Sequence, residues 1–216
     1  MLRLFGFPRS NYYRIVKLTL LERGLAFEEV QMKVDAAGKL EFASDYLRKS
    51  PMGKVPCLQT DHGFLSEANV IIDYLDGLGD GPSFYPEDPF DRAKVREIMK
   101  YIELYLELPA RRLYGVFFHQ AVPDGDKVEV RELLERGFSA LGELARFDPY
   151  IAGREITYAD FYALFALTSV TRTAKAVYGW DAFNTVEGVR GLLTLVGERK
   201  TVQSILGVPR GSDGRE

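Results

Sequence analysis

Few side chains in this chain of 216 residues stand where they could do chemistry. In G-F-P-R-S-N-Y-Y, residues 6 to 13, Ser10 places a hydroxyl just before a run of helical periodicity. A helix N-terminus carries unsatisfied amides and a partial positive charge, so an anion such as a thiolate is stabilised beside it. The plainer role for Ser10 is an N-cap. Asn11 and Tyr12 are competing donors, and Tyr13 reads as structural. Glu67 opens a second predicted helix, where the outward amides favour an anion and the acid itself offsets the helix dipole. Elsewhere the chemistry thins out. His62 falls in a predicted turn and His119 near a loop, with no cluster that would suggest a metal site or a nucleophilic triad. Cys57 is the only cysteine, so no internal disulfide can form, which fits a reducing compartment such as the cytoplasm.

The bulk numbers exclude several classes. A net charge of -3 suggests neither a nucleic-acid surface nor an anionic-membrane surface. The longest charge-free runs, Leu113 to Pro123 and Phe161 to Thr171, fall well short of the roughly 20 residues that span a bilayer. The opening MLRLFGFPRSNYYR has no charged leader before a long apolar run, so no signal peptide is expected.

The positioning elements divide at Leu78 to Phe90, LGDGPSFYPEDPF, where glycines and prolines crowd and the chain should run as an extended linker. Before it, strand and helix signals alternate. They predict strands over 2–6, 27–34, 55–59 and 64–65 and helices over 11–23, 39–49 and 67–78, with Ser66 as the N-cap of the last. The order is β-α-β-α-β-β-α, an opening parallel pair followed by a hairpin. After it, nearly everything reads as helix: 91–108 with a kink or stop at Pro109, 127–147, 157–176, then shorter pieces near 186–196 and 201–205. The third of these opens with Thr157-Tyr158-Ala159-Asp160, a capping box in which Asp replaces Glu, and its next turns are apolar all round, as befits the centre of a bundle. The expected domains are 1–78 (α/β) and 91–206 (all-α), joined by a linker over 79–90 and followed by a flexible tail over 207–216.

Three segments in this order resemble the glutathione transferase family. LFGFPRSNYYRIVKLTLLERGL, 4 to 25, resembles its opening strand, catalytic loop and first helix. SPMGKVPCL, 50 to 58, is similar to its N-P-x-G-x-V-P-x-L signature with Ser50 in place of Asn, and LSEANVIIDYL, 65 to 75, to its E-S-x-A-I helix start. IAGREITYADF, 151 to 161, also resembles the G-x-x-x-T-x-A-D segment of the family's helical domain. The resemblance implies a thioredoxin-like domain that binds glutathione, an all-helical domain, and a homodimer. It implies that Ser10, Tyr12 or Asn11 donates to the glutathione sulfur. Val55 would offer its backbone to the cysteinyl unit beside a cis Pro56, Glu67 and the Ala68 amide would hold the γ-glutamyl end, and Lys54 would reach the glycine carboxylate. Each has a plain alternative: a strand-edge proline, a dipole-compensating acid, a solvated lysine. The family usually has Ser where this chain has Ala68, and losing a hydroxyl bond to a carboxylate weakens binding by roughly tenfold.

The electrophile pocket would lie between the domains, with Tyr101, Tyr105, Arg111, Arg112, Tyr114 and Phe118 as candidates, although aromatics at helical spacing also serve as core. The implied activity is conjugation of glutathione to a small hydrophobic electrophile, with no metal. Glutathione-dependent disulfide or peroxide reduction is a second reading, and a non-enzymatic binding module, favoured by Ala68, a third. An isomerase fits less well, because its S-S-C-S-type loop is absent.

Overall fold

The computed structural model describes residues 1–36, 38–79 and 81–207. Strand β1 (Leu2–Gly6) runs parallel to β2 (Phe27–Gln31), and helix α1 (Asn11–Glu22) makes the crossover between them. On its other side β1 pairs antiparallel with β5 (Cys57–Thr60), which forms a hairpin with β6 (Gly63–Ser66), giving the order β2-β1-β5-β6. The parallel pair and the hairpin are as expected. Side chains alternate across this sheet. Leu4 and Leu58 face the large core with Ile15, Leu18 and Ile71 of the helices, while Phe5 and Cys57 face a small cluster around Tyr46. Gly6 is a close approach. A Cβ there would lie 2.0 Å from the Tyr13 ring, so only glycine lets that buried ring cover the strand end.

Two local expectations fail. No helix forms over 39–49. Instead β3 (Lys33–Val34) and β4 (Leu40–Glu41) make a small antiparallel pair, and a 3₁₀ turn follows at Ser44–Arg48. This segment buries one side chain, Tyr46, so no apolar stripe repays a full helix. Ser66 is also not the N-cap of the next helix, α2 (Ala68–Asp76). It is the last residue of β6, opposite Cys57, and the ladder holds it extended, so the turn falls to Glu67 at φ +68.

Asp88 caps α3 (Pro89–Tyr101), which begins inside the stretch expected as linker, by accepting from the amides of Phe90 and Asp91, both at 2.9 Å. The helix does not stop at Pro109. It widens into a π turn over Ile102–Glu107 and resumes as α4 (Leu108–Arg111), and such a local change of spacing accommodates an imino acid that cannot donate. A 3₁₀ turn at Tyr114–Phe118 leads to α5 (Asp124–Leu144). The next long helix is α6 (Tyr158–Tyr162), a π turn at Ala163–Leu167, and α7 (Thr168–Tyr178). Phe161 to Leu167 are all buried, the central position that their sequence predicts. α8 (Val189–Gly197) and α9 (Lys200–Leu206) close the bundle, with Arg199 clamped to Glu22 of α1. The expected tail lies, beyond Gly207, outside the described residues.

Candidate active site

Three sheet positions create the site. β1 ends at Gly6, β5 begins at Cys57 and β6 ends at Ser66, and the register pairs Phe5 with Cys57 and Cys57 with Ser66. The Phe7–Ser10 loop, Val55–Pro56 and Glu67 therefore emerge along one edge of the sheet. A cavity of about 920 Å³ opens beside it, between this edge and the helical half. Ser10, Asn11, Lys54, Val55, Arg111, Tyr114 and Phe118 line it, so seven of the sequence candidates come together there.

Ser10 caps α1: its Oγ accepts from the Tyr13 amide at 3.4 Å, which leaves the hydroxyl proton available to donate into the cavity. Asn11 is held at both ends of its amide. Its Nδ2 donates to Glu107 Oε1 at 3.4 Å and its Oδ1 accepts from Ser169 at 2.8 Å. Tyr12 does not line the cavity. Its hydroxyl donates to Glu107 Oε2 at 3.3 Å, and burial together with the Glu107 charge pushes its pKa well above the ordinary range. A phenol held neutral and turned inward suits packing better than sulfur activation.

The Ser50–Val55 loop is fastened through backbone. The Lys54 carbonyl accepts from the Tyr46 hydroxyl at 2.8 Å and from Ser50 Oγ at 2.9 Å, and the Lys54 amide donates back to Ser50 Oγ at 3.1 Å. Gly53 turns at φ +60, where a Cβ would also lie 2.7 Å from the Phe42 ring. Val55–Pro56 is cis, as the resemblance implies, and the strand ladder starts only at Cys57, so the Val55 backbone stands outside it. The Cys57 thiol is fully buried, donates to the Lys49 carbonyl, and is pushed up to about 11 by burial, which keeps it protonated near neutrality.

Glu67 and Ala68 sit further along the same edge, outside the cavity lining. Glu67 is exposed and Ala68 buried at the start of α2. A non-glycine residue at φ +68 costs on the order of 1–3 kcal/mol. Strain of this size is held by surrounding structure, here the Cys57–Ser66 pairing on one side and α2 on the other.

The other wall is built around Glu107, only 1% exposed although it carries a carboxylate. Arg111 Nε donates to both of its oxygens at 2.7 Å, and the Tyr114 hydroxyl donates to Oε1 at 3.3 Å. Burial, the largest single influence, would lower the Arg111 guanidinium, but the charge and hydrogen bond of Glu107 together with the neighbouring tyrosines raise it. The Arg111 guanidinium also stands over the Tyr12 ring at 5.0 Å. Three candidates lie elsewhere. Tyr101 and Tyr105 meet edge to face at 4.9 Å, with Tyr105 half exposed, and Arg112 bridges to Asp126 and Glu129 of α5. Among the described residues no group of three or more His, Cys, Asp or Glu could hold a metal ion.

Known proteins resemble this chain over most of its length. Residues 4–83 match the model of the glutathione S-transferase N-terminal domain, and residues 111–188 that of the C-terminal domain. A glutathione S-transferase from Pseudomonas putida is 44% identical over 207 residues, covering 95% of this chain and 91% of that protein. The chain belongs to the glutathione S-transferase family. The glutathione S-transferase GstA of Escherichia coli O157:H7 is 30% identical over 88% of this chain and 90% of its own length. The crystal structure of Gtt2 from Saccharomyces cerevisiae superposes with a TM-score of 0.75 at 20% identity, over 94% of this chain and 99% of that one, which shows the fold.

Within this glutathione S-transferase, sequence reasoning missed Tyr46, Ser169, Arg172 and above all Glu107. Ser50 and Lys54 stand four apart around a glycine, a spacing that could have flagged the loop tie. Glu107 and Arg111 stand four apart, a helical ion-pair spacing that could have flagged them, whereas the Asn11 and Tyr12 donors come from the distant α1.

Proposed function

We propose that this protein conjugates glutathione to a small electrophile on a hydrophobic skeleton. The observation that carries the reading is Ser10: a capping hydroxyl at the N-terminus of α1, facing the cavity with its proton free to donate. Glutathione would lie along the sheet edge. Its γ-glutamyl end would meet Glu67 and the Ala68 amide, its cysteinyl backbone would pair with Val55 beside Pro56 as an added strand, and its glycine carboxylate would face Lys54. The thiol loses its proton, Ser10 and the helix N-terminus stabilise the thiolate, and sulfur attacks the electrophilic carbon. With an aryl halide a C–S bond forms, the carbon–halogen bond breaks, and halide leaves with the electron pair. Glu107, Tyr114 and Asn11 hold the wall where the electrophile would sit.

The test is turnover of a chromogenic aryl halide with and without glutathione. Ser10→Ala should lower kcat by roughly tenfold to a hundredfold and move the thiol ionisation in the pH–rate profile upward. Absence of any glutathione-dependent rate with the electrophiles tried would sink the reading. Asn11, held at both ends, also favours a second one, in which the loop positions rather than activates sulfur for reduction of a disulfide or peroxide; turnover of a small mixed disulfide would select it. Ala68 supports a third, a binding module, which calorimetry would select by finding no glutathione binding at millimolar concentration.

The same reading divides the chain into 1–78 and 91–206 around a linker at 79–90, supported by the two family-model matches. It places the protein in the cytoplasm, supported by its single buried thiol. It also makes it a homodimer, supported by exposed apolar residues Val70, Leu104, Tyr105 and Leu108 on α2 and the α3–α4 helix.

A further inference from the structure

The cavity has an unbalanced charge that the conjugation reading alone does not use. Its charged lining residues are Arg9, Lys39, Lys54, Arg111 and Arg172 against one carboxylate, Glu107. That carboxylate is already taken by Arg111 at 2.7 Å and by three neutral donors. Among the described residues Arg9, Lys39, Lys54 and Arg172 form no ion pair. Arg9, Lys39 and Lys54 stand on the sheet side, where the glycine carboxylate of the proposed glutathione would meet Lys54. Arg172 stands on α7, on the opposite wall, out of that account.

Arg172 is also held in place. Its guanidinium stacks on the Phe117 ring at 4.2 Å, one turn along α7 from Ser169, whose hydroxyl is tied to Asn11. Arg14 lies close enough for the Arg172 charge, after burial, to depress its ionisation, and it too has no ion pair among the described residues. An anion entering the cavity beside Arg172 would relieve that repulsion. Beside them Tyr114, Phe117 and Phe118 give an aromatic wall.

From this we infer that the electrophile is itself an anion, an aromatic or unsaturated carboxylic acid whose carboxylate pairs with Arg172 while its ring lies on the Phe117 side of the cavity. The inference rests on the proposed conjugation for its reaction but not for its binding. A planar guanidinium fixed by stacking suits a planar carboxylate through paired N–H donors. A neutral electrophile of the same shape leaves Arg172 without a partner.

The experiment separates binding from turnover. Calorimetry with saturating glutathione compares unreactive 3-nitrobenzoate and 3-nitrobenzamide on the wild type, Arg172→Met and Arg172→Lys. The benzoate should bind the wild type about tenfold tighter than the amide. Methionine should erase that preference, and lysine should restore part of it, since it keeps the charge without the planar fork. Equal affinities in the wild type, or a preference that survives Arg172→Met, would overturn the inference whatever the enzyme turns over. Turnover of 4-chloro-3-nitrobenzoate and its amide, each divided by its uncatalysed rate with glutathione, tests the conjugation reading separately. If both react but with equal kcat/KM, conjugation stands and the anionic electrophile falls.

Discussion

Among the described residues two carboxylates are buried, Glu107 and Asp160, and their surroundings differ in kind. Asp160 meets donors from its own neighbourhood: the Thr157 amide at 2.7 Å, the Thr157 hydroxyl at 3.0 Å and the Ile151 amide at 2.8 Å. It is the far corner of a capping box that starts α6 and ties the preceding loop to it. Burial outweighs these donors and pushes its pKa up to about 6. Glu107, in the π turn before α4, takes its hydrogen bonds from side chains alone among the described residues. Four side chains, Asn11, Tyr12, Arg111 and Tyr114, converge on it, one of them charged. A carboxylate satisfied by local backbone can only hold a fold together. A carboxylate satisfied by side chains from both domains sets where those side chains stand around a cavity.

Removing Asp160 should have the largest effect. Asp160→Ala strands three donors in a fully buried place and should cost about 3–5 kcal/mol, read as a lowered urea midpoint, while the fraction still folded keeps its turnover. A loss below about 1 kcal/mol would mean that water replaces the carboxylate and that the site is not structural in the sense argued.

The next largest effect is one of pH. Between 3.8 and about 6 the folded protein keeps a proton on Asp160 that the unfolded chain has released. The folded state then binds more protons, so the stability from this group is full below about pH 4 and falls as pH rises to about 6. The fall is worth roughly 3 kcal/mol. Asp160→Asn should remove that slope from the pH dependence of unfolding, and an unchanged slope would assign it to other groups.

Glu107→Gln inverts the pattern. It keeps an acceptor but leaves the Arg111 charge without its partner, at about 1–3 kcal/mol of stability. Its larger mark should be on function, a fall of roughly tenfold in kcat/KM as Arg111, Tyr114 and Asn11 lose their common anchor. If Glu107→Gln costs stability and leaves kcat/KM alone, the contrast between the two carboxylates fails. The smallest effect belongs to Tyr46→Phe, which deletes one bond to the Lys54 carbonyl. About 1 kcal/mol of stability and a few-fold higher KM for glutathione at unchanged kcat are expected.

The contrast also shows how far the sequence could be read. The capping box at Thr157–Asp160 is visible because donor and acceptor are three residues apart on one chain segment. So are the Ser10 cap and the parallel and hairpin pairings, set by spacing and by local backbone rules, while the Val55–Pro56 turn was legible through the family resemblance. The helix expected over 39–49 fails because propensity cannot know that only Tyr46 finds a place to be buried. Ser66 fails as a cap because its partner Cys57 is recruited from nine residues away, across a hairpin.

What the sequence by itself determined is the family, the order of strands and helices outside 33–49, and, through the family resemblance, the sheet edge along which Ser10, Val55 and Glu67 emerge. Each depends on short-range patterns that survive without knowledge of the whole. What only the tertiary structure decided is the opposite wall. Glu107, Arg111 and Tyr114 come from the end of the α3–α4 helix, Ser169 and Arg172 from α7, and Asn11 from the start of α1. Glu107 reaches Arg111 one helical turn on, but no spacing along the chain links that pair to Asn11 or to α7. Burying a carboxylate is costly unless donors converge on it, and that convergence is a property of the packed helices alone.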